Sequence, residues 1–299
     1  MQTTINKNLI NKKTINETEV KKKLANKKVN KKAIQASFSK AAISYDQFAA
    51  LQREIGHHLL DLMPATVKEA NNILDLGCGT GYFTGLLSEL ASPTNLTCFD
   101  LSPEMLKQAA QKKLICCDYV AGDIDQLPFT HQFDLIFSNL VVQWSELLSA
   151  CLVQVKQALT TNGVLCFSTL LNGSLMELQQ AWQQVDNRSH VNDFLSEQQV
   201  TTALQQAGFK QFNLSTETRV KKYPDVISVM KALKGIGANH VHNGSHHRTT
   251  GRQLLKQLEK GYQLFIDQDG LYNLSYQVCY VIAYANPSPL NITQLSKND

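Results

Sequence analysis

Asp75, Gly77, Gly79 and Gly81 fall at alternate positions directly behind the apolar run Ile73-Leu74. Glycine removes Cβ where the chain must bend sharply and where a ligand must come close to the main chain, and the following helix offers unpaired N–H groups. This is the chemistry of capturing a nucleotide-like ligand at a strand-to-helix turn. A dinucleotide loop would need glycine at position 82, where Tyr82 stands, so the spacing is not that of a pyrophosphate cradle. A second apolar run, Leu96 to Phe99, ends in Asp100. That is roughly 20 residues beyond the loop, where open α/β sheets place the acid that takes both hydroxyls of a ribose. Ser102-Pro103-Glu104 then opens a helix, with serine as its cap and proline at its first position, so that Leu101 and Met105 can wall a base. A third strand end of this kind is Ala121-Gly122-Asp123-Ile124.

The Asp75-x-Gly77-x-Gly79-x-Gly81 spacing resembles the first motif of class I S-adenosylmethionine-dependent methyltransferases. The resemblance implies that this loop backs onto the methionine half of the cofactor and that Asp75 helps to hold its ammonium. It also implies that Asp123, with Ile124 beside it, reaches the adenine amino group. Such a cofactor has no pyrophosphate and needs no phosphate cradle. Asn139, at the end of a further strand, joins the cofactor set, and Arg53 is expected to meet the cofactor carboxylate.

Positioning these groups requires a sheet. Short apolar segments at 96–100, 117–121, 133–139 and 163–169 alternate with helical stretches at 83–91 and 103–113, which predicts an α/β fold with a doubly wound, mostly parallel, seven-stranded sheet. Ligands then sit at the carboxyl ends of the strands. Ahead of the loop, Phe48, Leu51, Ile55, Leu59 and Leu62 recur at helical spacing, predicting an entry helix over the cofactor. Tyr45, just before it, is expected to border the transferring methyl. Strands at 212–218 and 276–282 read as a closing antiparallel hairpin. The stretch between them, 223–272, is far longer than an ordinary hairpin loop and reads as a lid insertion before the last strand.

Charge divides unevenly. Residues 1–36 carry ten lysines against Glu17 and Glu19, so the net +4 of the chain is +8 here and −4 elsewhere. Without arginine or aromatic residues this segment cannot bury enough apolar surface to order itself, so 1–35 reads as a disordered arm, 36–290 as the catalytic domain and 291–299 as a tail. Residues 210–260 hold ten Lys or Arg and three acids, so the insertion is basic and suits an anionic substrate or acidic partner. The seven cysteines include no C-x-x-C pair, which predicts reduced thiols of a cytoplasmic protein and no zinc site. Four histidines at 240, 242, 246 and 247 lack the carboxylates or thiols that would close a metal site. No apolar run is long enough to span a bilayer.

The segments Ser39 to Asp46, Asp75 to Gly81, Phe137 to Trp144 and Leu233 to His240 together resemble the malonyl-acyl-carrier-protein O-methyltransferases of bacterial biotin synthesis. That family implies transfer of a methyl group to the free carboxylate of a malonyl thioester, carried by acyl carrier protein or coenzyme A. A carboxylate is already nucleophilic at neutral pH, so neither general base nor metal is required. Tyr45, Gln143 and Trp144 are substrate-side candidates, and Lys234, His240 and Arg248 are candidates for the substrate carboxylate. The alternatives are a class I enzyme acting on a quinone or another small acid, and a non-catalytic assembly protein that keeps the fold. No N/D-P-P-Y-type tetrapeptide follows the fourth strand, so no nucleic-acid substrate is expected.

Overall fold

The computed structural model describes residues 29–238 and 252–286. Seven strands form one sheet: β1 (Asn72–Leu76), β2 (Asn95–Asp100), β3 (Cys117–Ala121), β4 (Phe133–Asn139), β5 (Leu159–Leu170), β6 (Gln211–Tyr223) and β7 (Tyr272–Tyr284). Their order is β3-β2-β1-β4-β5-β7-β6. The first five run parallel, while β7 is antiparallel to both of its neighbours. The chain order reverses between β1 and β4, so a crevice opens beyond the carboxyl ends of these strands.

The central strands β1, β4 and β5 are largely buried on both faces because helices cover both faces. On one side Leu51, Ile55, Ile73, Leu87, Leu135 and Cys166 share a core. On the other Leu74, Leu76, Ile136, Leu152, Leu165 and Phe167 form a second. The helices are α1 (Lys31–Ala41), α2 (Tyr45–Phe48), α3 (Ala50–Leu62), α4 (Tyr82–Ala91), α5 (Pro103–Ala110), α6 (Leu148–Ala158), α7 (Met176–Gln183), α8 (Glu197–Gln206), α9 (Val226–Gly235) and α10 (Arg252–Tyr262).

Three sequence expectations change. First, α1 begins at Lys31, inside the segment read as an arm, and Val29 and Ile34 are buried. The lysine-rich composition of the first 36 residues hid a helix that starts within them. Second, the entry helix breaks at Ala49, and Phe48 is 40 % exposed rather than part of the core. It lies instead against α9, where a Cβ on Gly235 would fall 2.3 Å from its ring. Third, the stretch read as a lid insertion is, in its described parts, packed structure. Val226, Val229, Leu233, Leu258 and Tyr262 belong to the first core, and a Cβ on Gly261 would meet the Ala181 backbone of α7 at 2.6 Å. All seven cysteines are free thiols. Among the described residues no helix is long and apolar enough to cross a membrane.

Candidate active site

The glycine loop joins β1 to α4, and its conformation explains the spacing read from the sequence. Gly79 has φ +54°, and a Cβ built on it would meet nothing within 4 Å, because it faces open cavity. Gly81 is different. At φ +75° it caps α4, and a Cβ there would lie 2.9 Å from Ala109 of α5, so close packing also asks for glycine here, and it lines none of the three cavities described below, where Gly77 and Gly79 do appear.

A cavity of about 600 Å³ lies against this loop, lined by Gly77, Gly79, Asp100, Leu101, Met105, Asp123, Ile124 and Asn139. Asp100 accepts the Gly79 N–H at 2.9 Å through Oδ2 and the Ser102 N–H at 2.8 Å through Oδ1. Burial pushes its pKa up to about 6, against the pull of these two donors. The Ser102 hydroxyl accepts the Met105 N–H at 3.3 Å, the cap anticipated from the sequence. Asn139 lines the cavity, but its amide is occupied: it donates to Gln52 O at 2.9 Å and accepts from Ser168 Oγ at 2.7 Å. It ties α3 to the sheet.

Helix α1 roofs this cavity. Lys31, Gln35 and Ser39, at i, i+4 and i+8 on one face, each reach the rim below. Lys31 Nζ meets Asp123 Oδ1 at 2.6 Å and Asp125 Oδ2 at 2.7 Å. Gln35 donates to Leu101 O at 2.8 Å, and Ser39 Oγ lies 2.8 Å from Ser102 Oγ. On the adjoining stripe Ile34 and Phe38 close the cavity, with Phe38 edge-on to Trp144 at 5.5 Å.

A smaller hollow of about 420 Å³ continues past the loop, lined by Asp75, Gln52, Arg53, Thr80 and Tyr82 among others. Asp75 is buried, accepts Thr84 Oγ1 at 2.6 Å, and is raised to about 7 by burial. The Gln52 Oε1 is buried without a hydrogen-bond partner. Arg53 donates to the Asp46 carbonyl at 2.7 Å and lies over the Tyr82 ring at 5.3 Å. Asp46, whose Oδ1 lies 3.9 Å from the Arg53 guanidinium, lines the hollow too, so carboxylate and amide acceptors surround one cation there, which suits a zwitterionic amino-acid end. With the acid beside Gly79 and the apolar walls beyond it, the residues present fit the methionine, ribose and adenine parts of S-adenosylmethionine.

A third space, about 940 Å³, opens on the other side of Tyr45. Gln143, Trp144, Leu140, Leu175, Leu233 and Tyr276 contribute to its mostly apolar lining. Leu140 and Leu175 hold φ of +57° and +60°, a conformation that leucine rarely adopts and that clusters at functional sites. Thr169 Oγ1 donates to Gln143 Oε1 at 3.3 Å, fixing the amide so that its NH₂ is the group left to offer. Tyr45 lines all three spaces. Burial, then the charges of Asp100 and Asp46, push its phenol above the usual range, so it is a neutral donor.

Of the three cations expected at the substrate carboxylate, Lys234 is exposed and lines none of these cavities. It follows Leu233, which faces the core, and a helix turns about 100° per residue. His240 and Arg248 lie outside the described residues, as do His242, His246 and His247. Sequence reasoning missed Lys31, Phe38, Gln52 and His190, all lining residues. Gln52 could have been found from its place one residue before Arg53; His190 sits in a loop with no periodicity to mark it. Among the described residues no group of three His, Cys, Asp or Glu is placed to hold a metal ion.

A family model described as a methyltransferase domain matches residues 74–167. The plantazolicin methyltransferase BamL, solved with S-adenosylhomocysteine (SAH) and a substrate analogue, superposes with a TM-score of 0.52 at 15 % identity, over 89 % of this chain and all of that one, which shows the fold alone. The biotin biosynthesis bifunctional protein BioHC of Cellvibrio japonicus is 36 % identical over 83 % of this chain and 49 % of its own length. A malonyl-[acyl-carrier protein] O-methyltransferase of Yersinia pestis is 42 % identical over 253 residues, covering 84 % of this chain and 91 % of the relative. At that identity and coverage, the chain belongs to the malonyl-[acyl-carrier protein] O-methyltransferase family.

Proposed function

We propose that this chain methylates the free carboxylate of malonyl-acyl carrier protein with S-adenosylmethionine, giving the methyl ester that primes pimeloyl synthesis for biotin. The observation that carries this reading is the meeting of the three cavities at Tyr45, with Leu140 and Trp144 shared between the nucleoside cavity and the apolar chamber. A methyl donor bound along the glycine loop and an acyl group in the chamber would face each other there.

When bound, the cofactor supplies a methyl group already activated on a sulfonium. The protein's work is alignment and exclusion of water. Asp100 takes the ribose hydroxyls while its bonds to Gly79 and Ser102 keep the loop in register. Asp75 and Gln52 Oε1 accept from the ammonium, and Arg53 faces the carboxylate. Phe38, Leu140 and Trp144 wall the junction. Tyr45 and the Gln143 NH₂ donate to substrate oxygens without taking a proton.

A transfer assay with malonyl carrier protein, malonyl coenzyme A and an unrelated acid, followed by mild base, tests the proposal. Methanol released from the malonyl products is the expected result. A base-stable methyl group, or equal transfer to the unrelated acid, would overturn it.

Cofactor binding should depend on pH through Asp75. With its pKa near 7, the carboxyl is protonated below that value and must lose a proton to face an ammonium. Affinity should therefore rise by up to about tenfold per pH unit as pH climbs toward 7, then level off. In the ligand-free protein the sign is opposite: a raised folded pKa means stability declines as pH rises from the unfolded value of about 4 toward 7. Calorimetric titration across this range, repeated on Asp75→Asn, checks the first effect, since the variant should lose the slope between about pH 6 and 7, below which Asp100, raised to about 6, titrates as well.

A further inference from the structure

Helix α9 is one wall of the apolar chamber. Met230 and Leu233 line that chamber, as do Ile236 and Ala238 just past the helix. A helix turns about 100° per residue, so Ile227, Lys231 and Lys234, at i, i+4 and i+7, share a stripe turned away from the core. All three are exposed, Ile227 to 45 %. An α-helix is about 10 Å across, so this stripe stands roughly one helix width from the chamber. Both α1 and α2 pack against the same end of α9. A Cβ on Gly237 would fall 2.9 Å from Phe38 of α1, as one on Gly235 would meet Phe48 of α2. The turn joining α1 to α2 carries Ile43, which is 86 % exposed and stands two residues before Tyr45.

Little within the chain neutralises the two lysines. Among the described residues neither forms an ion pair, and α9 contains no acid. Asp225, just before it, feels the charge of Lys231, but its carboxylate is spent as the N-cap, accepting the Ser228 N–H at 2.6 Å. The acid of α2, Asp46, is turned instead to Thr80 Oγ1 at 2.8 Å and to Arg53.

We propose that Lys231 and Lys234, with Phe48 and Ile43 beside them, dock an acidic face of the acyl carrier protein, so that its pantetheine arm enters the chamber alongside α9. This rests on the methylation of malonyl-acyl carrier protein proposed above. Two unpaired cations interleaved with exposed apolar side chains suit an acidic protein surface, and their place on a chamber wall puts that protein where its acyl cargo must go in. Lys234 lines no cavity, yet it is placed for the protein that brings the substrate. Charges at such a rim act on encounter and are screened by salt, so they govern KM for the carrier-borne substrate and leave turnover alone.

Initial rates of the full chain with malonyl-acyl carrier protein and with malonyl-pantetheine, at low and high salt, test this. The parent should show the lower KM for the carrier-borne substrate, rising with salt. Lys231→Glu with Lys234→Glu should raise that KM by at least about tenfold, while kcat and both malonyl-pantetheine constants stay within about twofold of the parent. Lys68→Glu with Lys210→Glu changes the net charge equally, but at exposed positions just before β1 and β6, beyond the opposite ends of the strands from the crevice. That control pair should leave every constant near the parental value. Equal losses on both substrates, an unchanged or salt-independent carrier KM, or a control pair as damaging as the α9 pair overturns the inference. If the α9 pair fails to bind SAH, the milder Lys231→Gln with Lys234→Gln decides by the same criteria. A parent that takes malonyl-pantetheine as readily as the carrier-borne substrate refutes the docking surface alone. A parent that methylates neither refutes the proposed function itself.

Discussion

Replacing Asp100 with alanine should weaken cofactor binding by about 30- to 1,000-fold, or about 2 to 4 kcal/mol, while leaving a folded domain. Two losses add. A charge-assisted bond to each ribose hydroxyl disappears, and so does the acceptor that holds the Gly79 and Ser102 N–H groups. Both N–H groups border the cavity and can turn to water, so the melting temperature should move little. Asp100→Asn keeps one acceptor oxygen, so it should fall between parent and alanine variant. Titration with SAH measures this directly. Affinity within threefold of the parent, or a collapse in melting temperature that accounts for the loss, would remove Asp100 from the ribose role.

The sheet and the cavity against the glycine loop were largely legible because both rest on local patterns. Apolar runs ending in Asp75, Asp100 and Asp123 mark strands whose carboxyl ends must converge once the sheet is parallel. Glycine at 77 and 79 marks the turn between them. Gly81 is the ambiguous member: positive φ, close packing and ligand proximity all select glycine, and the sequence pattern does not separate them, whereas the structure shows the first two through its φ and the Ala109 contact.

The substrate side was less legible because its residues come from separated elements. Tyr45, Gln143 and Trp144 lie near strand or helix ends and could be placed. His190 could not, since its place in the lining is fixed by Trp182 behind it and Asp186 beside it. Lys234 is the opposite case. Its charge drew attention, yet Val226, Val229 and Leu233 fix the buried stripe of α9, and one further residue turns away from it. Averaging charge over residues 1–36 likewise concealed that Ile34 and Phe38 begin a helix with an inward stripe.

Removing residues 1–41 should reduce methyl transfer by more than about 100-fold, because it unroofs the nucleoside cavity and admits water to the reacting centre. The roof is held by contacts that the truncation deletes together: Lys31 on Asp123 and Asp125, Gln35 on Leu101, Ser39 on Ser102, and Phe38 on Trp144. The Lys31 contact should dominate in single variants. Lys31→Ala leaves two carboxylates, each about one-fifth exposed, with the cation between them gone. Breaking a fully buried pair costs about 3 to 5 kcal/mol, and partial exposure lowers that figure, so the expected loss in cofactor affinity is about tenfold. The double variant Lys31→Ala with Asp125→Asn should recover part of it by relieving the repulsion. Deleting residues 1–28 should leave transfer at the parental rate, since the roof contacts named above all come from residues 31–39. Comparing initial rates and SAH affinities of the four proteins separates the cases: if the 1–41 truncation keeps full turnover, α1 is not the roof of the reacting centre.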